Sequence, residues 1–471
     1  MATQLVKFRI LAAASLSVIY LPGVLSRNIW SDDYPSLVDP YGVQIHASRD
    51  GRPLFGFALQ FMFGLANTAA NLWYIRLFAL IGLLLLNDLV IKVLSNSRSN
   101  LRITVASVGA FSIASFQINV HWATAFLFCW VAYFALLGYT LIIKDSKSSK
   151  LAGILLLIAS SLSYPILTFF IFPIVFLIMY ELDNKLSSLR RNSIAATFGV
   201  TLSALIALTI NIVTLRLRGL TFNDRVSFIS LSDFPDQILW FLSRPFVLTF
   251  RGYSIDSPEL VEVVAGLIFV NLIIIAGLML RYKVVFQSLK TYVLMIFFTL
   301  ISMAPLFFPD QQQIDVRYVT VGSWLISYMF ISGAFLILGK IFFQRHQRNV
   351  ALISLVFLFA FFLSINFRYF LVIQPIYDKT TSFMSYQVRS CSDQEILSGV
   401  YVHPRETQWP NNPFIGFFSQ VTDLASDWVP LNAVRVEIQR SRELDEVDVS
   451  WAEEGGLGCK VDLNQFETEV K

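Results

Sequence analysis

LWYIRLFALIGLLLLNDLVI, residues 72–91, decides the class of this chain. The run holds a single arginine and a single aspartate, one toward each end. As a helix rising about 1.5 Å per residue it reaches about 30 Å, the thickness of a bilayer's hydrocarbon core. A helix this long in a water-soluble protein carries a polar stripe for its solvent side, and this one has none.

Comparable apolar runs lie on both sides of it. We read spans at 8–25, 72–91, 103–120, 123–143, 151–165, 166–182, 193–214, 260–280, 291–308, 318–338 and 349–366. The fifth and sixth are short and meet at Ser163-Tyr164-Pro165. Basic residues Lys7 and Arg9 precede the first span, as in a signal peptide, but no small-residue cleavage site follows, so it reads as a retained signal anchor. Composition agrees: 55% of the 471 residues are hydrophobic and only 14% charged, where a soluble domain is about a quarter charged. The expected fold class is a membrane all-α protein of about eleven transmembrane helices.

Basic residues set the orientation, because cytoplasmic segments keep Lys and Arg. With the N-terminus in the cytoplasm, 17 of them fall inside, in clusters such as Lys92, Arg98 and Arg102, or Lys144, Lys147 and Lys150. All nine lysines before residue 366 are among them. Eleven spans then place the C-terminal tail outside. Three outer segments are long: 26–71, 215–259 and 309–317. They hold nine arginines, including Arg52, Arg251 and Arg317, and no lysine; Arg76 sits just inside the second span. Long loops are exempt from the charge rule, which is one reading. The other is an anion site, since the guanidinium fork suits phosphate better than a hydrated ammonium does.

Composition changes near residue 367. From there to Lys471 acidic residues outnumber basic ones by 16 to 9. Period-two alternation in Val434–Ile438 and Val447–Trp451 reads as half-buried strand. We therefore divide the chain into a membrane bundle at 1–366 and a small extracytoplasmic α/β domain at 367–471, resting on the bundle. Cys129 lies in a span. Cys391 and Cys459 both lie in the tail, where an oxidising compartment would let them pair.

Three clusters are candidates for chemistry. In SDDYPSL, at 31–37, Asp32 and Asp33 follow the first span closely. Carboxylates so near hydrocarbon are costly unless paired or used. One could act as a general base, because partial burial beside a second carboxylate raises a pKa; a helix cap and turn is the plainer reading. In QQQIDVRYVT, at 311–320, Arg317 and Tyr318 form either a snorkelling interface anchor or a phosphate clamp. The third cluster is the loop carrying Arg244 and Arg251, where Pro235–Phe250 reads as an amphipathic surface helix. The four histidines show no metal-ligand spacing, and no nucleotide-binding or nucleophile-elbow motif occurs. No cofactor is called for, although a divalent ion between Asp32 and Asp33 stays open. The basic residues mark topology rather than form one patch, which argues against nucleic acid.

The DDY after the first helix, the DGRPL (50–54) opening a short helix in the same loop, and the outer RY late in the bundle resemble the GT-C superfamily of membrane glycosyltransferases. The chain is most similar to the Gtr-type family that adds glucose to lipopolysaccharide O-antigen. The likeness is best over the first hundred residues. It implies hexose transfer from a polyprenyl-phosphate carrier to a hydroxyl of lipid-linked glycan, at the periplasmic face of a bacterial inner membrane. Asp32 and Asp33 would match the family's acidic pair. Arg52 and Arg317, with Tyr318 and Arg251, would neutralise the departing phosphate. An O-antigen polymerase or ligase, or a lipid or sugar transporter, is the alternative. A transporter would carry charged or broken helices at the midplane, and few charges lie there.

Overall fold

The computed structural model describes residues 2–307 and 319–368, apart from 27–28, 30–32, 67, 96–99, 145, 183–185, 224–228, 231, 244, 251–259 and 343–346. Beyond 368 it describes 382–383, 385–397, 400–403, 434, 436, 438, 449–451 and 459–462.

The chain is built of helices: α1 (Ala2–Val24), α2 (Asp33–Val38), α3 (Pro40–Arg49), α4 (Pro53–Ala66), α5 (Leu72–Leu94), α6 (Asn100–Ala110), α7 (Ala114–His121), α8 (Phe128–Ile142), α9 (Lys147–Ser163), α10 (Pro165–Thr168), α11 (Ile171–Leu182), α12 (Leu186–Leu217), α13 (Phe234–Ser243), α14 (Pro245–Thr249), α15 (Leu260–Tyr282), α16 (Val285–Ser302), α17 (Thr320–Phe342) and α18 (Gln347–Arg368). Among the described residues, eight helical segments are long and apolar enough to cross a membrane: Leu5–Val24, Leu72–Leu94, Ala123–Ile142, Pro165–Leu182, Arg190–Leu217, Val264–Tyr282, Val285–Ser302 and Thr320–Ile341. This is a multi-pass, all-α membrane architecture.

The other three expected spans also fall on helix. The run 103–120 is divided between α6 and α7, because the chain extends at Ile113 (φ −71°, ψ 159°). Helix α9 has only 17 residues. In α18 the described apolar stretch is Ser354–Leu363.

Small residues let helices close on one another at two contacts. Gly138 of α8 faces Gly153 of α9, and a Cβ on Gly138 would come within 2.8 Å of the Gly153 carbonyl. Gly277 and Gly333 play the same part between α15 and α17, where a Cβ on Gly277 would meet the other Cα at 2.4 Å.

In the tail, three short strands form a parallel sheet in the order β2-β1-β3: β1 Val400–His403, β2 Val449–Trp451 and β3 Cys459–Asp462. Val449–Trp451 is strand, as its alternation predicts. Val434, Val436 and Ile438 are not: these described positions are helical, and all three are buried. Residues two apart on a helix point to nearly opposite sides, so that helix is covered on more than one face. Period two there reported burial rather than a pleat. Cys391 and Cys459 form a disulfide that ties the segment before the short helix Asp393–Leu397 to β3. Cys129 is a free, buried thiol.

Candidate functional site

Charged side chains gather at the two ends of the bundle, and their partners sort the loops into two sets. At one end, Arg9 pairs with Asp88, and Glu181 takes both Arg102 and Arg281. These are segments read as inner from the charge distribution. At the other end, the segment 26–71 meets the turns at His121–Thr124, at Tyr164 and at 221–223. These were read as outer.

Asp33 is the first residue of α2 and is fully buried. Its carboxylate reaches the start of the 3₁₀ turn Ala123–Ala125, ninety residues further along the chain. The Thr124 N–H donates to Oδ1 at 2.8 Å, and the Ala123 N–H approaches Oδ2 at 3.4 Å. The first N–H groups of a helical turn lack partners within it, and an acidic side chain satisfies both their hydrogen bonding and their partial positive charge. Asp33 thus caps a turn far along the chain.

Arg76 completes this arrangement. Its Nη2 lies 3.5 Å from Oδ2 of Asp33, and neither side chain is exposed. Its Nη1 donates to the carbonyl and hydroxyl of Ser26 at 2.8 and 3.1 Å. One guanidinium of α5 thereby holds both the exit of α1 and the start of α2. Around the pair, His121 packs against Tyr20 and Gly23. Asn119 is fully buried with neither amide atom hydrogen-bonded among the described residues, an unusual state for a native polar group.

Arg52 belongs to a second cluster. Asp50-Gly51-Arg52-Pro53 makes a tight turn in which Gly51 takes φ +81°, a conformation that side chains disfavour. Pro53 then opens α4, where its fixed φ suits the first helical position. Arg52 donates to Asp50 at 2.6 Å, and its guanidinium lies 5.7 and 5.4 Å from the rings of Phe55 and Tyr164. The Asn223 amide also donates to Asp50 at 2.6 Å, and His46 stands 3.5 Å away. Burial alone would raise the Asp50 carboxyl; Arg52, Asn223 and His46 outweigh it and hold the group below the ordinary carboxylate range.

The structure therefore pairs Asp33 with Arg76 and Arg52 with Asp50. Asp32, Arg251, Arg317 and Tyr318 lie outside the described residues. Among the described residues no three His, Cys, Asp or Glu side chains gather as a metal site would require. Sequence reasoning set Arg76 aside as a residue at a span end. The signal for its role was a charge inside an apolar run, which needs a buried partner of opposite sign. Comparison with protein-family models and with curated proteins finds no match to this chain.

Proposed function

We propose that this chain is a membrane glycosyltransferase that moves a hexose from a polyprenyl-phosphate carrier to a hydroxyl of a lipid-linked surface glycan. The observation that carries the reading is the buried carboxylate–arginine pair Asp33–Arg76, at the end of the bundle where the long loops meet. Such a pair is costly to bury, and it fixes the chain immediately after the acidic dipeptide's first member.

In the proposed step the acceptor oxygen attacks the anomeric carbon and gives its proton to a carboxylate. The bond from that carbon to the phosphate oxygen breaks, and the carrier leaves as polyprenyl phosphate. Asp33 is engaged by Arg76 and by two backbone N–H groups, so we assign proton abstraction to Asp32 and positioning to Asp33. The departing phosphate would be met by Arg52, Arg251, Arg317 and Tyr318, as the resemblance implies. This reading takes eleven spans with the N-terminus in the cytoplasm, and the 367–471 region as an extracytoplasmic α/β domain.

Mass analysis of the surface glycan from cells with and without the gene tests it. Loss of one hexose per repeat at unchanged chain length supports the reading. A change in chain length with full decoration would point to a polymerase instead and remove it.

A further inference from the structure

Helix α4, PLFGFALQFMFGLA, contains no charged residue and is apolar on both faces. One face packs inward: Phe55 meets the rings of Phe128 and Tyr164 at 5.7 and 6.1 Å, and Phe63 and Ala66 are fully buried. Gly56 permits close approach to α3, since a Cβ there would lie 2.6 Å from the Gln44 carbonyl. The other face is a stripe of Leu54, Phe57, Phe61 and Leu65, which are 40%, 44%, 65% and 58% exposed. Spacings of three and four residues put them on a single side of the helix. A helix hydrophobic all round belongs in a core or in lipid, and this one is only half enclosed by protein.

Its fourteen residues span about 21 Å, too little to cross the hydrocarbon core. Both ends also return to the same side. Arg52, just before it, meets the turn at Tyr164. The chain after it enters α5, whose Arg76 holds Ser26 and Asp33 at that same end of the bundle. The stripe adjoins the exposed end of α12: Arg218, just beyond that helix, lies 5.1 Å over the Phe57 ring, next to the highly exposed Leu217.

We propose that α4 is an interfacial helix sunk into the bilayer leaflet on the loop side, with Leu54, Phe57, Phe61 and Leu65 among lipid acyl chains. Arg218 sits over this face at the level of the lipid phosphates, a cation where a headgroup anion belongs. The occupant is bilayer lipid, and the inference rests only on the membrane architecture, not on glycosyl transfer.

The test places a nitroxide on Phe61→Cys in full-length protein carrying Cys129→Ala, with the Cys391–Cys459 disulfide intact, in phospholipid vesicles. Collision with oxygen, which concentrates in lipid, is compared with collision with a water-soluble nickel chelate. Leu208→Cys, on the exposed side of the long α12, gives the lipid standard. Ser230→Cys, on an exposed loop, gives the aqueous standard. Site 61 is expected to match site 208, with oxygen favoured several-fold. Nickel access like that at site 230 overturns the proposal. So does protection from both reagents, which would mean that protein covers the stripe. Leu65→Cys repeats the reading at a second exposed position, so a folding defect at one site does not decide the outcome.

Discussion

Nη2 of Arg76 and Oδ2 of Asp33 lie 3.5 Å apart with both side chains wholly buried, so each makes the other's burial tolerable. Removing one partner of such a pair strands a charge in a low-dielectric setting, at a cost of about 3–5 kcal/mol. Arg76→Met should therefore lower the thermal unfolding temperature in detergent sharply. Arg76→Met combined with Asp33→Asn should recover part of that loss, because no uncompensated charge remains. Equal unfolding temperatures for Arg76→Met and wild type would show that the pair carries no structural load.

The same geometry separates the two aspartates. Asp33 is occupied by Arg76 and the Thr124 N–H, and Asp33→Asn keeps an oxygen for the N–H but loses the charge. It should lower stability and transfer together. Asp32→Asn should abolish transfer at unchanged unfolding temperature and leave binding of the polyprenyl-phosphate sugar intact. An active Asp32→Asn protein would sink the assignment of Asp32 as base.

Much of the architecture was legible because membrane burial writes itself in composition. An apolar run of about twenty residues with one or two charges has few alternatives. The division at Ile113 was not legible. No proline or glycine stands at positions 111–113 to mark it, and only the chain's extension there reveals it. The acidic dipeptide stood out as a cluster, yet its partner Arg76 did not, because pairing across 43 positions leaves no local pattern. Helix α4 was legible only as the short helix that DGRPL opens in the first outer loop. Its second apolar face acquires meaning only once the first is seen to be packed.

The Asp50 cluster gives a pH dependence with a definite sign. Its folded carboxyl lies below the ordinary range, with Arg52, Asn223 and His46 holding it there against burial. An unfolded aspartate titrates near about 3.9. The stabilisation is therefore complete above that value and is lost as pH falls through the lower folded one. Asp50 ties the segment before α4 to Asn223, so hydrogen-exchange protection at 49–52 and 221–223, taken relative to the intrinsic rate at each pH, should fall together on acidification. Asp50→Asn should show raised exchange already at neutral pH. Protection at 49–52 that ignores both acid and the substitution would remove this tie.

Glu181 is the counterpart at the opposite end. It accepts from the Tyr328 hydroxyl at 2.9 Å and pairs with Arg102 and Arg281, drawing α6, α11, α15 and α17 together. Glu181→Ala leaves two arginines facing each other across a buried site, and should cost about 3–5 kcal/mol or more. Adding Arg102→Met should relieve part of the loss. A Glu181→Ala protein with a wild-type unfolding curve would contradict the network's role.

The last prediction concerns sidedness, and its two halves rest on different grounds. Which loops share a side follows from contacts: Arg49 donates to the Thr221 carbonyl between two segments read as outer, and Arg52 lies over Tyr164 and Gln237 donates to the Leu306 carbonyl, each joining an outer segment to the outer end of a span. The links of Arg9, Arg102 and Arg281 join segments read as inner. Which side faces the cytoplasm rests instead on the basic residues, because packing alone is indifferent to it. Fusions carrying a compartment-sensitive reporter after Lys147 and after Asp427 should report cytoplasm and exterior respectively. Exchange of the two answers would keep every contact and invert the membrane, and the proposed donor would then have to be cytoplasmic. The same answer from both would mean that the number of crossings between them is even, and the eleven-span count would fall.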